Sequence, residues 1–208
     1  MSFQPDARSG TVPSSTGAAL ITTDSLRIVF ALYPGVTHLD FTGPHQFLSR
    51  LPGAQTVVAS VQGGEMEADG LTFAGLTKFE DIENCDLLCI PGGFGTTAAM
   101  LDPVFIGHIQ RLAEGARYVT SVCTGSLILA AAGLLKGRRA ACHWAWRDQL
   151  ALFGAIPDPA RVVRDGNAIT GGGVTAGIDI ALTIVAELAG ERTAKMIQLA
   201  IEYDPAPP

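Results

Sequence analysis

Residues 117–135 read R-Y-V-T-S-V-C-T-G-S-L-I-L-A-A-A-G-L-L, and this stretch decides the fold. Its first part, with Tyr118, Val119, Thr120 and Val122, is β-branched and aromatic, which suits a half-buried pleated strand. It then passes through Cys123-Thr124-Gly125-Ser126 into an apolar helical run, Leu127 to Leu135, with Gly133 and Gly137 as end signals. A strand that turns into a helix at one residue, with a small residue two positions on, has the pattern of a nucleophile elbow. Cys123 stands at that residue. The amides and dipole of a helix N-terminus would stabilise a thiolate there and lower its pKa. A small buried thiol in an ordinary βα unit fits the same letters.

Working towards the N-terminus, Leu26 to Leu32 is a short apolar run, consistent with a buried parallel strand, and Tyr33-Pro34-Gly35 breaks it. Asp40 follows, ahead of a helical pattern from His45 to Leu51. An acidic residue there lies at the carboxyl edge of the sheet, where open α/β sheets place ligands. It would also serve as a helix cap. Thr56 to Val61 reads as a strand, and residues 65–73 as a small hairpin or an extended connector, with Asp69-Gly70 as the turn. A third apolar strand, 86–90, stops at Pro91-Gly92-Gly93-Phe94-Gly95. That loop lacks the G-x-G-x-x-G spacing and the acidic ribose reader of a dinucleotide site. Within 96–115 a helix starts afresh at Asp102-Pro103, where Asp caps and Pro fits the first turn.

Beyond the central stretch, Arg138 to His143 reads as a strand beside the elbow, with His143 20 residues past Cys123. Such a His either pairs with the thiol or is a hydrogen-bonded structural group. Arg161 to Thr170 reads as a hairpin turning at Asp165-Gly166. It runs into Gly171-Gly172-Gly173-Val174, a helix over 175–188 and a last helix over 191–201. The glycine run reads as a hinge, with the Val174 amide donating to a Cys123 thiolate, or as a means of packing the helix closely.

Strands alternating with helices imply an α/β fold with a mostly parallel sheet. The loops at Asp40, at Gly92-Gly93 and at Cys123 all follow strands, so they share one sheet edge and meet in one pocket. The 208 residues suit a single domain over 25–208, with 1–24, rich in small and polar residues, as a loose extension. The net charge of −6, with no basic patch interleaved with aromatics, argues against nucleic acid as a partner. The 4 cysteines form no C-x-x-C pair, so no metal site is expected, and Cys85, Cys89 and Cys142 read as buried reduced thiols of a cytoplasmic protein. No segment has the pattern of a membrane span or a secretory signal.

Taken together, L-D-F-T-G-P, I-P-G-G-F-G, T-S-V-C-T-G-S, A-C-H-W and T-G-G-G-V-T-A-G-I-D, in this order, resemble the ThiJ/PfpI superfamily of class I glutamine amidotransferase-like folds. The resemblance spans 26–208 and implies a flavodoxin-like or Rossmann-like three-layer sandwich with a Cys nucleophile elbow. Among the branches the sequence looks most like isocyanide (isonitrile) hydratases, which add water to an isocyanide to give the N-substituted formamide. The resemblance implies Cys123 as nucleophile, Asp40 as proton shuttle and Thr124 as a polar site residue. It places the backbone amides of Gly93 and Thr124 at the oxyanion position, requires no cofactor and implies a homodimer. Thr124 stands where the peptidase-like branch has His, which argues against a Cys-His protease. The alternatives are a small-molecule-sensing or chaperone-like relative and a glyoxalase- or deglycase-like activity on reactive carbonyls. A regulator would need a helix-turn-helix region after the domain, and hydratases of this branch often continue past the P-A-P-P segment.

Overall fold

The computed structural model describes residues 26–205. The expected extension over 1–24 and the last three residues lie outside them. The sheet has eight strands in the order β3-β4-β2-β1-β5-β6-β10-β9. They are β1 Leu26–Ala31, β2 Ala54–Ser60, β3 Gly64–Ala68, β4 Leu71–Lys78, β5 Leu87–Ile90, β6 Tyr118–Ser121, β9 Val162–Asp165 and β10 Ala168–Gly171. All neighbours pair in parallel except the two edges, where β3 runs antiparallel to β4 and β9 to β10. β1, β5 and β6 are the apolar runs, and their centres are fully buried, as strands covered on both faces require.

Helices α1 His38–Leu48, α5 Ala176–Ala189 and α6 Glu191–Ile201 pack with one another. So do α2 Thr96–Leu101, α3 Pro103–Gly115 and α4 Gly125–Ala131. This is the three-layer α/β sandwich. From β1 the chain moves first to β2 on one side and later to β5 on the other, so the strand order reverses between β1 and β5. Open α/β sheets bind ligands at that crevice, outside the carboxyl ends of the strands. Among the described residues no helix is long and apolar enough to cross a membrane.

Two hairpins follow the turn chemistry of the sequence. Asp69 and Gly70 join β3 to β4 with φ of 52° and 81°, the pair of positive angles a type I′ turn requires. Between β9 and β10 the loop residues are Gly166 and Asn167, one place further on than expected, because Asp165 itself pairs with Ala168. The break at Asp102-Pro103 is also observed, with Asp102 Oδ1 accepting from the amides of Val104 at 2.8 Å and Phe105 at 3.2 Å.

Two expectations are corrected. The first long helix starts at His38 and ends at Leu48, so Asp40 lies in its first turn, and the N-cap is Thr37. Pro44, just ahead of the expected start at His45, sits inside the helix. Its ring packs against α5 so closely that a Cβ on Gly177 would lie 2.8 Å from Pro44 Cδ. The strand expected over 138–143 shrinks to β7 Arg139–Ala140, which pairs with β8 Ile156–Pro157 in a separate two-stranded sheet. The place beside β6 is taken by β10. Ala141 is held by side chains instead: its amide donates to Thr170 Oγ1 at 2.8 Å, and its carbonyl accepts from Ser126 Oγ at 2.6 Å.

Candidate functional site

Cys123 leaves β6 with φ 59°, a left-handed angle rare for a residue with a side chain. Its amide donates to the Gly172 carbonyl at 2.7 Å, and the chain enters α4 two residues later. Gly125 is where α4 crosses the end of β5: a Cβ there would run into the Ile90 carbonyl. This close crossing is the physical reason for a small residue two positions past the strained one. The thiol is 6% exposed. Burial pushes it up to about 12, helped by the charge of Asp40 and opposed by the Thr124 amide. Desolvation thus opposes the lowering expected from the helix terminus, of which the Thr124 amide is the part that acts on the sulfur.

Asp40 is fully buried beneath the loop that follows β5. Its Oδ2 accepts the Gly92 amide at 2.9 Å, while its Oδ1 has no hydrogen-bond partner among the described residues. Burial raises the carboxyl to about 7, with smaller opposing contributions from the Gly92 amide and the neighbouring Cys123 thiol. Asp69 adds a further upward push. Cys123 and Asp40 each shift the other, so they titrate as a coupled pair.

The loop after β5 is zipped to the loop after β1. Thr37 N–H donates to the Gly92 carbonyl at 2.9 Å, Gly95 N–H donates to the Gly35 carbonyl at 3.0 Å, and Val36 forms a bridge with Gly93. At Gly92 a Cβ would lie 2.6 Å from Thr124 Oγ1 and 2.9 Å from Asp40 Oδ2. The close backbone approach is what lets the carboxyl and the Thr124 hydroxyl reach this loop together. Gly93 has φ 156°, and its amide donates to Thr124 Oγ1 at 3.0 Å. In this arrangement the Gly93 amide is engaged by the hydroxyl, and the Thr124 amide faces the sulfur.

A cavity of about 410 Å³ opens above these groups, lined by Cys123, Thr124, Gly93, Leu127, Val174 and Trp146 among others. Phe94, 98% exposed, stands at its mouth. His143 also lines the cavity, although it lies on no strand of the main sheet. Its Nδ1 accepts the Ala145 amide at 3.3 Å and its ring lies 5.6 Å from that of Trp144. In the glycine run none of Gly171, Gly172 and Gly173 has a left-handed φ. A Cβ on Gly171 would collide with Ile180 of α5, so close packing accounts for that residue. At Gly172 a Cβ would have only ordinary contacts, the nearest at 3.7 Å. The bond between this run and the elbow is Cys123 N–H to the Gly172 carbonyl.

Cys85, Cys89 and Cys142 are buried free thiols. Among the described residues no group of three or more His, Cys, Asp or Glu is placed to hold a metal ion. Three site residues had gone unremarked in the sequence. Thr96 Oγ1 lies 2.7 Å from Thr124 Oγ1, and Tyr33 Oη lies 3.0 Å from Thr96 Oγ1. Asp69, read only as a turn residue, lines the cavity, and its Oδ2 accepts the His38 amide at 3.1 Å. The position of Thr96, directly after a strand-ending glycine loop, was the available signal.

Known proteins share this fold and much of this sequence. The DJ-1/PfpI family model matches residues 26–187. Isonitrile hydratase of Pseudomonas putida is 51% identical over 185 residues, covering 88% of this chain and 81% of that protein. A ThiJ/PfpI family crystal structure from Pseudomonas syringae superposes with a TM-score of 0.87 at 42% identity, covering 98% of this chain and 85% of that one. DJ-1beta of Drosophila melanogaster shares the fold, with a TM-score of 0.76 at 23% identity over 87% of this chain and all of that one. The chain belongs to the DJ-1/PfpI family.

Proposed function

We propose that this protein is an isonitrile hydratase, adding water to R–N≡C to give R–NH–CHO. The observation that carries the reading is the coupling of Cys123, which lines a cavity with Leu127, Val174 and Trp146, to the fully buried carboxyl of Asp40, one oxygen of which has no hydrogen-bond partner among the described residues. The similarity to the Pseudomonas putida isonitrile hydratase supports the same reaction.

The terminal carbon of an isocyanide needs both a nucleophile and a proton. Asp40, as carboxylate, takes the proton from Cys123 as the sulfur bonds to that carbon, and delivers it to the same carbon. The product is a covalent thioimidate, R–N=CH–S–Cys123. Water then adds to the thioimidate carbon. Asp40 takes one water proton and passes it to nitrogen. The C–S bond breaks, the second proton returns to sulfur, and the formamide leaves. Only the water is consumed, and the thiol is regenerated. The high resting pKa of Cys123 fits this scheme, because the thiol itself supplies the proton that carbon requires. The Thr124 amide faces the sulfur and is placed to stabilise charge developing there. Leu127, Val174 and Trp146 offer apolar surface to the R group. Two-fold pairing of the chain and a cytoplasmic setting belong to the same reading and rest on the family resemblance.

The test is turnover of a simple alkyl isocyanide by the purified protein, followed as N-substituted formamide. Cys123→Ala should abolish it, and Ala at Cys85, Cys89 or Cys142 should leave the chemistry in place. Full activity in Cys123→Ala would overturn the reading. So would turnover of a reactive carbonyl such as methylglyoxal with none of the isocyanide.

A further inference from the structure

Three buried hydroxyls lie in a row behind the cavity: Tyr33, Thr96 and Thr124 are 3%, 4% and 7% exposed. Each carries one proton, and the partners settle where the protons go. Tyr33 Oη lies 2.9 Å from the Pro91 carbonyl, which only accepts, so the phenol donates there. Burial drives the phenol pKa far upward, so Tyr33 keeps its proton. Thr96 Oγ1 lies 2.8 Å from the Gly93 carbonyl and 2.7 Å from Thr124 Oγ1. Thr124 Oγ1 lies 3.5 Å from the Gly93 carbonyl.

Two arrangements compete. If Thr96 donates to Gly93 and Thr124 donates to Thr96, every hydroxyl proton has an acceptor within 2.9 Å. If Thr96 donates to Thr124 instead, two lone pairs face each other across the 2.8 Å contact between Thr96 and the Gly93 carbonyl. The Thr124 proton is then left with the 3.5 Å contact or the cavity. The Gly93 carbonyl accepts the Thr96 amide at 3.2 Å in either case, so the arrangements differ in the lone-pair repulsion across the 2.8 Å contact and in the Thr124 proton left without a close acceptor, and the first arrangement wins.

We propose that Thr96 is a positioning residue that draws the Thr124 hydroxyl proton away from the cavity, so that Thr124 meets the reacting water as a hydrogen-bond acceptor. With its proton on Thr96 and one lone pair taken by the Gly93 amide, Thr124 Oγ1 has one lone pair left, on a residue that lines the cavity. A water held through one of its hydrogens by that lone pair presents its oxygen to the thioimidate carbon and its second hydrogen to a base. Thr124 is then not an acid in the reaction, and Asp40 carries the proton traffic alone. The role in catalysis rests on the hydration reading. The direction of the hydroxyl protons does not.

Two measurements test it. Neutron diffraction from deuterium-exchanged crystals of the native protein reads the proton positions directly. A deuteron bonded to Thr124 Oγ1 and aimed at Thr96 is expected; one bonded to Thr96 and aimed at Thr124 overturns the proposal. In single-turnover kinetics with an alkyl isocyanide, Thr96→Val should slow breakdown of the covalent adduct by about tenfold, the order expected for one neutral hydrogen bond. Adduct formation should stay within about twofold, so adduct accumulates by mass spectrometry. Thr96→Ser should restore breakdown. Equal slowing of both steps, or no change, overturns the proposal. Should Thr96→Val fail to fold, the neutron map decides alone. Absence of any isocyanide turnover in the native protein would sink the hydration reading, while the map would still decide the proton direction.

Discussion

Asp40 Oδ2 accepts the Gly92 amide at 2.9 Å, and this one bond joins the first turn of α1 to the loop after β5 across the reversal point of the sheet. It holds one carboxyl oxygen, and the other has no hydrogen-bond partner among the described residues. A structural carboxyl at this depth would be expected to have both oxygens satisfied. In the proposed reaction the half-satisfied state, the raised pKa and the neighbouring thiol suit Asp40 to exchanging a proton.

The first prediction is a pH profile. In the proposed reaction Asp40 must begin as carboxylate to take the thiol proton, and burial raises it to about 7. The value of kcat/KM should therefore rise through an apparent pKa near 7 and level off above it. The limb belongs to the Asp40–Cys123 pair. Asp69 pushes Asp40 upward, so Asp69→Asn should move the limb to lower pH. A flat profile between pH 5 and 9 would remove Asp40 from the chemistry.

The second prediction concerns stability. The folded-state pKa of Asp40 is raised from 3.8 to about 7. Below 3.8 both folded and unfolded chains hold the proton, and the group costs nothing. Between 3.8 and 7 the folded chain binds more protons than the unfolded one, so stability from this group falls as pH rises and the penalty is complete above 7. Asp40→Asn keeps an oxygen for the Gly92 amide and carries no charge. It should lose turnover yet gain thermal stability at pH 8, by on the order of 1–3 kcal/mol, with the gain shrinking towards pH 4. A pH-independent loss of about 0.5–2 kcal/mol, as from a missing cap, would return Asp40 to a structural role.

The central β6–α4 unit was legible because its period changes at one point, from a β-branched run to an apolar helical one, with Cys123 at the junction. The meeting of Asp40, Gly92-Gly93 and Cys123 followed from strand–loop order alone. The start of α1 was not legible, because Pro44 reads as a boundary and only its packing on Gly177 shows why the helix passes through it. His143 was misplaced because local letters cannot tell that β10 already occupies the edge of β6. Thr96 and Tyr33 were hidden for a similar reason. Their hydroxyls meet Thr124 only because two loops distant in sequence are zipped together at Gly35 and Gly95.

The third prediction tests the close approach at Gly92. A methyl group there would intrude on Thr124 and Asp40 at once. Gly92→Ala should destabilise the protein by about 1–3 kcal/mol, as overpacking does, and cut kcat more than it raises KM. Thermal melts together with steady-state kinetics check both. Native kcat in Gly92→Ala would show that the spacing between carboxyl and hydroxyl does not matter to the reaction.

The last prediction concerns the glycine run before α5. Gly171 is needed for packing against Ile180, and Gly173 sits 3.1 Å, from its would-be Cβ, to the His143 ring. Gly172 has neither constraint, yet its carbonyl accepts the Cys123 amide at 2.7 Å. A residue free of steric need, bonded to Cys123 and two residues before the cavity-lining Val174, is where a hinge would sit. Alkylating the sulfur to the thioimidate removes the S–H proton and adds volume at Cys123, and the strained φ of that residue makes its backbone sensitive to the added volume. If α5 must shift for water to enter, stiffening Gly172 slows only the second step. Gly172→Ala should fold normally, since its Cβ has room. In single-turnover experiments it should form adduct at the native rate and release formamide several-fold more slowly, an effect of about 1 kcal/mol. Native rates for both steps would mean that the three glycines serve packing alone.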